Sequence, residues 1–265
     1  MDYGHPLRFG IFPSPQADSA HDIVRVARHA DDAGLDLIGI QDHPYQRRFL
    51  DTFALMAFVL AQTARVTVFP DVANLPLRPA RMLAKAAASL DILSGGRFEL
   101  GLGAGARWEG IEAMGGPQLS APASVDRLER AIPEIRSHWE GVGKYEGPPP
   151  AHPVGIWLGA YKPRMLRITG AMADGWIPSL SYLPPEQVPE AMKRIDDAAA
   201  QAGRDPRSIR RVYNILGDTE PAQVAEFAAE LGFDSFIFPA NEPADVDRLA
   251  GEVLPAVREE IAARR

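Results

Sequence analysis

The chain has 265 residues, 46% hydrophobic and 24% charged, so it can bury a large core, and this length is typical of a single α/β barrel. Its formal net charge of −7 would repel a nucleic-acid backbone. The absence of cysteine excludes disulfides, thiolate metal sites and a cysteine nucleophile. The first residues lack the pattern of a secretory signal, and no apolar stretch is long enough to span a bilayer. We therefore expect a cytoplasmic protein with no nucleic-acid or membrane partner.

Short apolar runs alternate with amphipathic helical patterns along the chain. Eight runs have the length and composition of buried strands, at residues 8–13, 36–40, 66–69, 98–102, 155–158, 175–178, 212–216 and 235–238. A helical pattern follows each run. Eight strand–helix units in this order predict an α/β fold, a (β/α)₈ TIM barrel forming one domain over residues 1–265. An open, doubly wound sheet is the structural alternative.

Capping residues, glycine and proline mark several helix ends. Ser19 can cap the first turn of a helix predicted over residues 19–33. A second helix, over residues 79–93, is followed by Gly95, which is free to adopt a positive φ. In the last helix, Pro255 predicts a kink.

The longest connection covers residues 106–154. It contains a predicted helix over residues 124–140 and can cover the mouth of the barrel. Just before it, Gly101, Gly103 and Gly105 lack side chains at the end of a strand, which would let another molecule approach the backbone. Taken alone, such glycines serve tight turns more often than ligands.

Polar residues at strand ends are the candidates for function, because the chemistry of these barrels lies where strands end. Asp42 and His43 follow the second strand, and a histidine there is either a general acid or base or a structural hydrogen-bonding group. Residues 71–74 interrupt the third strand and form either a polar turn or part of a site. Before Pro163, the backbone N–H groups of residues 159–162 and the dipole of the next helix suit a phosphate, with Lys162 able to add charge.

Two segments resemble the luciferase-like family of flavin- and deazaflavin-dependent oxidoreductases. They are NLPLRPARMLAKAAASLDILSGGRFELGLGAG at residues 74–105 and GIWLGAYKPRMLRITGAMADGWIP at residues 155–178. The resemblance implies hydride transfer to or from a small organic substrate, a homodimer, and a planar cofactor with a phosphate tail. Asp42, His43 and the NLPLR segment are similar to the branch that uses coenzyme F420. FMN is the alternative, and it would allow monooxygenation.

The resemblance also implies roles for individual residues. His43 would be the general acid or base, and Asp42 would orient its imidazole or bind the ring edge. Asp71 and Val72 would form a bulge with a non-proline cis peptide behind the ring. The carboxylate of Asp71 would point elsewhere, because an anion there disfavours a reduced, anionic ring. The other implied cofactor contacts are Asn74, Gly103, Gly105, Gly159, Ala160, Tyr161, Lys162 and Trp176, and the expected substrate contacts are Trp108 and Tyr182. Trp176 fits a core position equally well.

Other classes of function have weaker support. A metal-dependent barrel hydrolase usually has two histidines on its first strand, but of the six histidines only His43 falls at a strand end. No G-x-S-x-G motif is present, so a serine hydrolase is unsupported. A barrel that binds flavin without turnover stays open, since a fold does not determine a function.

Overall fold

Nine parallel strands form one sheet that curves into a barrel in the computed structural model, which describes residues 3–263. The strands are β1 (Arg8–Phe12), β2 (Leu37–Ile40), β3 (Thr67–Pro70), β4 (Ala73–Asn74), β5 (Leu100–Gly103), β6 (Ile156–Leu158), β7 (Gly175–Trp176), β8 (Arg210–Asn214) and β9 (Ser235–Pro239). Their order in the sheet is β3-β2-β1-β9-β8-β7-β6-β5-β4.

Helices surround the sheet. They are α1 (Ala20–Asp32), α2 (Thr52–Gln62), α3 (Ala80–Ser94), α4 (Trp108–Ala113), α5 (Ala121–Glu140), α6 (Pro163–Met172), α7 (Val188–Gln201), α8 (Pro221–Ala229), α9 (Pro243–Arg248) and α10 (Leu254–Ala263). Within residues 3–263, none of these helices is both long and apolar enough to cross a membrane.

The third strand of the predicted barrel is present in two pieces. β3 pairs with β2 and β4 pairs with β5, and the two pieces are separated by Asp71 and Val72. The peptide bond between these two residues is cis. A bridge between Val68 and Phe98 connects β3 to the segment leading into β5. The predicted (β/α)₈ barrel is therefore confirmed, and the cis bulge in its third strand lies where it was expected.

The predicted helix ends are confirmed in part. Gly95 follows α3 with φ +70°, as expected. The break before Pro255 is a π-helical turn, Leu249–Val253, and Pro255 has no N–H to donate to a carbonyl one turn earlier. The cap predicted at Ser19 is wrong. Its hydroxyl donates to the carbonyl of Gln16, because the chain enters α1 through a 3₁₀ turn.

Only the beginning of the 106–154 connection lies near the barrel mouth. Its second helix, α5, packs against α3 on the outside of the barrel, where the indole N–H of Trp139 donates to the carbonyl of Ala84 at 2.9 Å. α5 therefore does not contribute to the cover of the barrel mouth that the sequence suggests for this connection. The periodic apolar face of α5 belongs to the outer ring of helices.

Large side chains fill the barrel below its mouth. A compact interior cluster contains Leu37, Phe69, Trp157, Ile177, Val212 and Ile237. The rings of Phe69 and Trp157 lie 5.1 Å apart. Phe12 and Val72 pack on this cluster and are only partly buried. The interior of the barrel is thus a filled core, and its upper layer lies directly below the carboxyl ends of the strands.

Candidate functional site

A cavity of about 570 Å³ opens at the carboxyl ends of the strands. Its size lies in the range of small-molecule sites, about 300–1,000 Å³. The lining residues lie at or just after the ends of β1 to β8 and are Phe12, Gln41, Asp42, His43, Tyr45, Asp71, Val72, Ala73, Asn74, Gly103, Ala104, Gly105, Ala106, Gly159, Tyr161, Lys162, Met165, Ile177, Ser179, Ser181, Tyr182 and Asn214.

Most of the residues predicted for the site do line this cavity, but three do not. Trp176 is completely buried, stacks on Phe233 at 5.7 Å and donates its indole N–H to the carbonyl of Ala160. Ala160 is also buried. The expectation that Trp176 forms a wall of the ring pocket is therefore wrong, and Trp176 is a core residue. Trp108 lines a neighbouring groove that shares Tyr45 with the cavity.

The glycines of β5 make room for the bulge in the third strand. A Cβ atom on Gly101 would lie 2.0 Å from the carbonyl oxygen of Pro70, and one on Gly103 would lie 2.7 Å from Cγ2 of Val72. Just after β6, a Cβ atom on Gly159 would lie 3.2 Å from Cγ2 of Val72. Gly101 is therefore needed for the close approach of the protein's own backbone, and it does not line the cavity. Gly103 and Gly105 do line the cavity, so their contact with a ligand stays a prediction.

His43 lies on the cavity wall in a hydrogen bond with a residue that sequence reasoning missed. Its Nδ1 is 2.7 Å from the hydroxyl of Tyr45. Burial lowers the pKa of His43, and the charge of Arg107 lowers it further, while the nearby carboxylate of Asp42 raises it. Since burial dominates, His43 is a neutral imidazole at neutral pH and can accept a proton.

Asp42 does not orient His43 as we had expected. Its buried carboxylate accepts hydrogen bonds from the backbone N–H of Asn74 at 2.8 Å and from Nε and Nη2 of Arg78 at 2.7 and 2.8 Å. Arg78 also donates to Asp51 at 2.7 Å and lies 4.4 Å from the ring centre of Phe53. Asp42 therefore ties the end of β2 to β4 and to the NLPLR segment.

We expect Asp42→Ala to lower the free energy of unfolding by about 3 kcal/mol, because it leaves the partly buried guanidinium of Arg78 without its main partner. Urea titration of both proteins measures this difference. Glu129→Ala is the control, since Glu129 and its partner Arg164 are both over 40% exposed, and such pairs contribute about 1 kcal/mol or less. Equal losses in the two variants would contradict the structural role of Asp42.

Asp71 faces the cavity, whereas we had expected its carboxylate to point elsewhere. Burial raises the pKa of Asp71 to about 7, and a polar contact with Asn214 lowers it in part. The objection to an anion beside a reduced ring thus weakens, because the carboxyl group is largely neutral below this pKa. The sequence did not identify Asn214 as a site residue. Nothing in the local pattern around Asn214 indicates that its side chain contacts Asp71, the first residue after β3.

The predicted phosphate region lies at the cavity rim. Lys162 precedes the first residue of α6 and is exposed, and Gly159 and Tyr161 line the same side of the cavity. Arg164 is engaged in ion pairs with Asp126 and Glu129, both at 2.6 Å. Lys162 is therefore the better candidate to meet an anion. Among the described residues, no group of three or more His, Asp or Glu side chains is placed to hold a metal ion.

The fold and this cavity define the class of protein as a (β/α)₈ barrel with a small-molecule site at the carboxyl ends of its strands. The sequence model of the luciferase-like monooxygenase family matches residues 1–231. The chain therefore belongs to this family.

Two curated relatives have reductase names. 5,10-Methylenetetrahydromethanopterin reductase of Methanolobus tindarius is 30% identical over 237 residues, which cover 85% of this chain and 70% of the relative. Phthiodiolone/phenolphthiodiolone dimycocerosates ketoreductase of Mycobacterium tuberculosis (strain H37Rv) is 36% identical over 174 residues, or 58% of this chain. That match spans only 43% of the ketoreductase, less than half of its length.

Two solved structures share the fold at low sequence identity. An F420-dependent secondary alcohol dehydrogenase in complex with an F420-acetone adduct has a TM-score of 0.82 at 18% identity, covering 96% of this chain and all of the other. A riboflavin lyase with modified FMN and riboflavin has a TM-score of 0.78 at 15% identity, covering 96% and 92% of the two chains.

Proposed function

We propose that this protein is an oxidoreductase that transfers a hydride to or from a small organic substrate with coenzyme F420. The observation that carries the proposal is the cavity itself, with the Asp71–Val72 bulge at its base and His43 on its wall. The reductase and dehydrogenase names of two curated relatives and one similar structure support it. FMN is the alternative cofactor, which the similarity to the riboflavin lyase favours.

The residues of the cavity fit a planar cofactor with polar edges. Three buried oxygen atoms that belong to lining residues have no hydrogen-bond partner in the described part of the chain, Oδ2 of Asp71 and Oδ1 of Asn74 and of Asn214. Buried polar atoms are nearly always paired, so a ligand with complementary groups is expected here. Val72 would support one face of the ring, and Lys162 with the start of α6 would bind the phosphate.

When bound, the ring supplies or accepts the hydride. The protein then has to move a proton at the substrate oxygen. His43 would take the proton of a hydroxyl group when the substrate is oxidised, and it would return one to the oxygen when a carbonyl group is reduced. Tyr45 would hold the imidazole through Nδ1. Tyr182, exposed at the rim and in edge contact with Tyr161 at 5.7 Å, is the proposed substrate contact, with Trp108 in the adjoining groove.

An anaerobic assay tests this function. Purified protein is incubated with reduced coenzyme F420 and a panel of small ketones and aldehydes, and the cofactor's absorbance reports its oxidation. We expect oxidation that depends on both protein and carbonyl compound and needs no oxygen. Turnover only with FMN and oxygen would support the monooxygenase alternative. No turnover with either cofactor, despite binding, would support a barrel that binds the ring without catalysis.

Lys162→Glu tests the phosphate position. We expect it to weaken cofactor binding by about tenfold to a hundredfold, because it reverses a charge beside an anion, and the loss should shrink at high salt. Fluorescence titration measures the affinity. Lys193→Glu, on α7, is the matched control because Lys193 is exposed and pairs with Asp197 of the same helix. Gly159 is a poorer position to test, since a side chain there would press on Val72. Equal affinities of the two variants would argue against this phosphate site.

We also propose that the protein is a homodimer that uses the outer faces of α2 and α3. These adjacent helices expose Phe58 (56%), Met82 (65%) and Leu93 (84%), and large exposed apolar side chains are common in interfaces. Sedimentation equilibrium is expected to give a dimer for the natural protein and a folded monomer for Phe58→Glu/Met82→Glu. A natural protein that is monomeric at all concentrations would exclude the dimer.

A further inference from the structure

Two polar side chains meet at the base of the cavity from different strand ends. Asp71 belongs to the bulge between β3 and β4, and Asn214 is the last residue of β8. Their neighbours in the lining include the apolar side chains of Phe12 and Ile177. The catalytic role proposed above uses neither residue.

The two side chains leave specific hydrogen-bonding capacity unused. The amide nitrogen of Asn214 faces the hydroxyl of Ser179 at 3.4 Å, and Ser179 is held by the hydroxyl of Tyr161, which accepts its backbone N–H at 3.1 Å. Oδ1 of Asn214 and Oδ2 of Asp71 have no hydrogen-bond partner within residues 3–263. The amide oxygen can only accept, whereas a carboxyl group that holds its proton can both donate and accept.

This combination is complementary to an N–H group flanked by a carbonyl. A phosphate does not fit, because it would place negative charge next to a carboxyl group in a poorly solvated place. A ketone can only accept, so it would leave Oδ1 of Asn214 unpaired. A hydroxyl group could donate to Asn214 and accept from Asp71, but only if its single oxygen atom reaches both side chains. The imide edge of a pyrimidinedione ring presents an N–H with a carbonyl on either side, and it can satisfy both residues.

We propose that Asp71 and Asn214 bind the imide edge of the cofactor's pyrimidinedione ring. The ring N–H donates to Oδ1 of Asn214, and a flanking carbonyl accepts a hydrogen bond from the O–H of the Asp71 carboxyl. The inference rests on the proposed function. Because coenzyme F420 and FMN share this edge, the inference holds for either cofactor.

The test uses two pairs of probes, 8-hydroxy-5-deazariboflavin with its N3-methyl derivative and riboflavin with 3-methylriboflavin. Methylation of N3 removes the N–H donor and leaves the rest of the ring unchanged. Fluorescence titration gives the affinity ratio within each pair. In the natural protein we expect methylation to weaken binding at least about tenfold for the ring that binds. In Asp71→Ala and Asn214→Ala the ratio should fall to within about threefold, because the variants have lost part of the complementary edge.

Asp71→Asn is the matched control. Its amide also offers one acceptor and a donor, so we expect it to keep most of the N3-methyl effect. If Asp71→Ala does not fold, the comparison of the natural protein with Asn214→Ala decides the question.

Two outcomes would overturn the inference and leave the proposed function standing. One is binding of a ring with no N3-methyl effect in the natural protein. The other is an N3-methyl effect that persists unchanged in the alanine variants. Failure of both parent rings to bind, with coenzyme F420 or FMN still bound, would overturn this inference alone. Failure of the parent rings and of both cofactors would overturn it together with the proposed function.

Discussion

Replacing His43 by alanine is expected to reduce turnover by about 10²- to 10⁴-fold, the usual contribution of a general acid or base. Cofactor affinity should stay within about tenfold, because the proposed phosphate and ring contacts lie on other strand ends. Single-turnover and steady-state rates on a substrate found in the carbonyl panel measure the loss. His29→Ala is the control, since His29 is partly exposed and pairs with Asp247, far from the cavity lining.

The pH dependence provides a second readout for His43. Because burial holds the pKa of His43 below its ordinary value of 6.5, the imidazole is neutral at pH 7 and ready to act as a base. Substrate oxidation should therefore lose rate as the pH falls through this lowered pKa, and His43→Ala should lose that acid limb. Near-normal turnover and an unchanged pH profile in His43→Ala would show that His43 has a structural and not a catalytic role.

Asp71→Asn is expected to stabilise the protein at high pH by about 4 kcal/mol. The pKa of Asp71 is raised from 3.8 in its ordinary state to about 7 in the folded protein, a difference worth about 1.4 kcal/mol per pH unit. A raised pKa means that the folded state holds the proton more tightly. The natural protein therefore keeps its full stability below about pH 4 and loses it as the pH rises to about 7. Asparagine has no such loss.

Urea unfolding of both proteins at about pH 5 and about pH 8 measures this effect, and the difference between them should widen at the higher pH. Glu99→Gln is a matched comparison, because burial also raises the pKa of Glu99 to about 7. Glu99 precedes β5 at the opposite end of the barrel, so its variant should show the same trend in stability with unchanged cofactor affinity. A constant difference between Asp71→Asn and the natural protein across this pH range would show that Asp71 does not titrate as a buried group.

The sequence predicted the barrel well because the signals for its elements are local. Apolar runs of four to six residues identified all eight strand positions, and Gly95 identified the end of α3. The third strand was harder, since its division into β3 and β4 depends on pairing with two different neighbours. The family resemblance, and not the local pattern, located the cis bond at residues 71 and 72.

The side-chain contacts of the site could not be read from the sequence for a physical reason. The partners of Asp42 are Asn74 and Arg78, which are more than 30 residues away in the sequence. The hydrogen-bond partner of His43 is Tyr45 and not the adjacent Asp42. Successive side chains of a strand point to opposite faces of the sheet. A shift of one position along β7 therefore decides whether a side chain faces the cavity or, as Trp176 does, the core outside the sheet. Sequence patterns thus located the strand ends correctly but did not determine the partners of the side chains found there.

An equilibrium titration of the purified protein with FMN and with oxidised and reduced coenzyme F420 tests most directly whether this cavity binds a deazaflavin or flavin ring. We expect coenzyme F420 to bind with a Kd of about 1 μM or lower, and FMN to bind more weakly. Tight binding of FMN alone would contradict the choice of cofactor and support the FMN-dependent alternative. Binding of neither compound at concentrations of about 1 mM would show that the cavity is not a site for either ring.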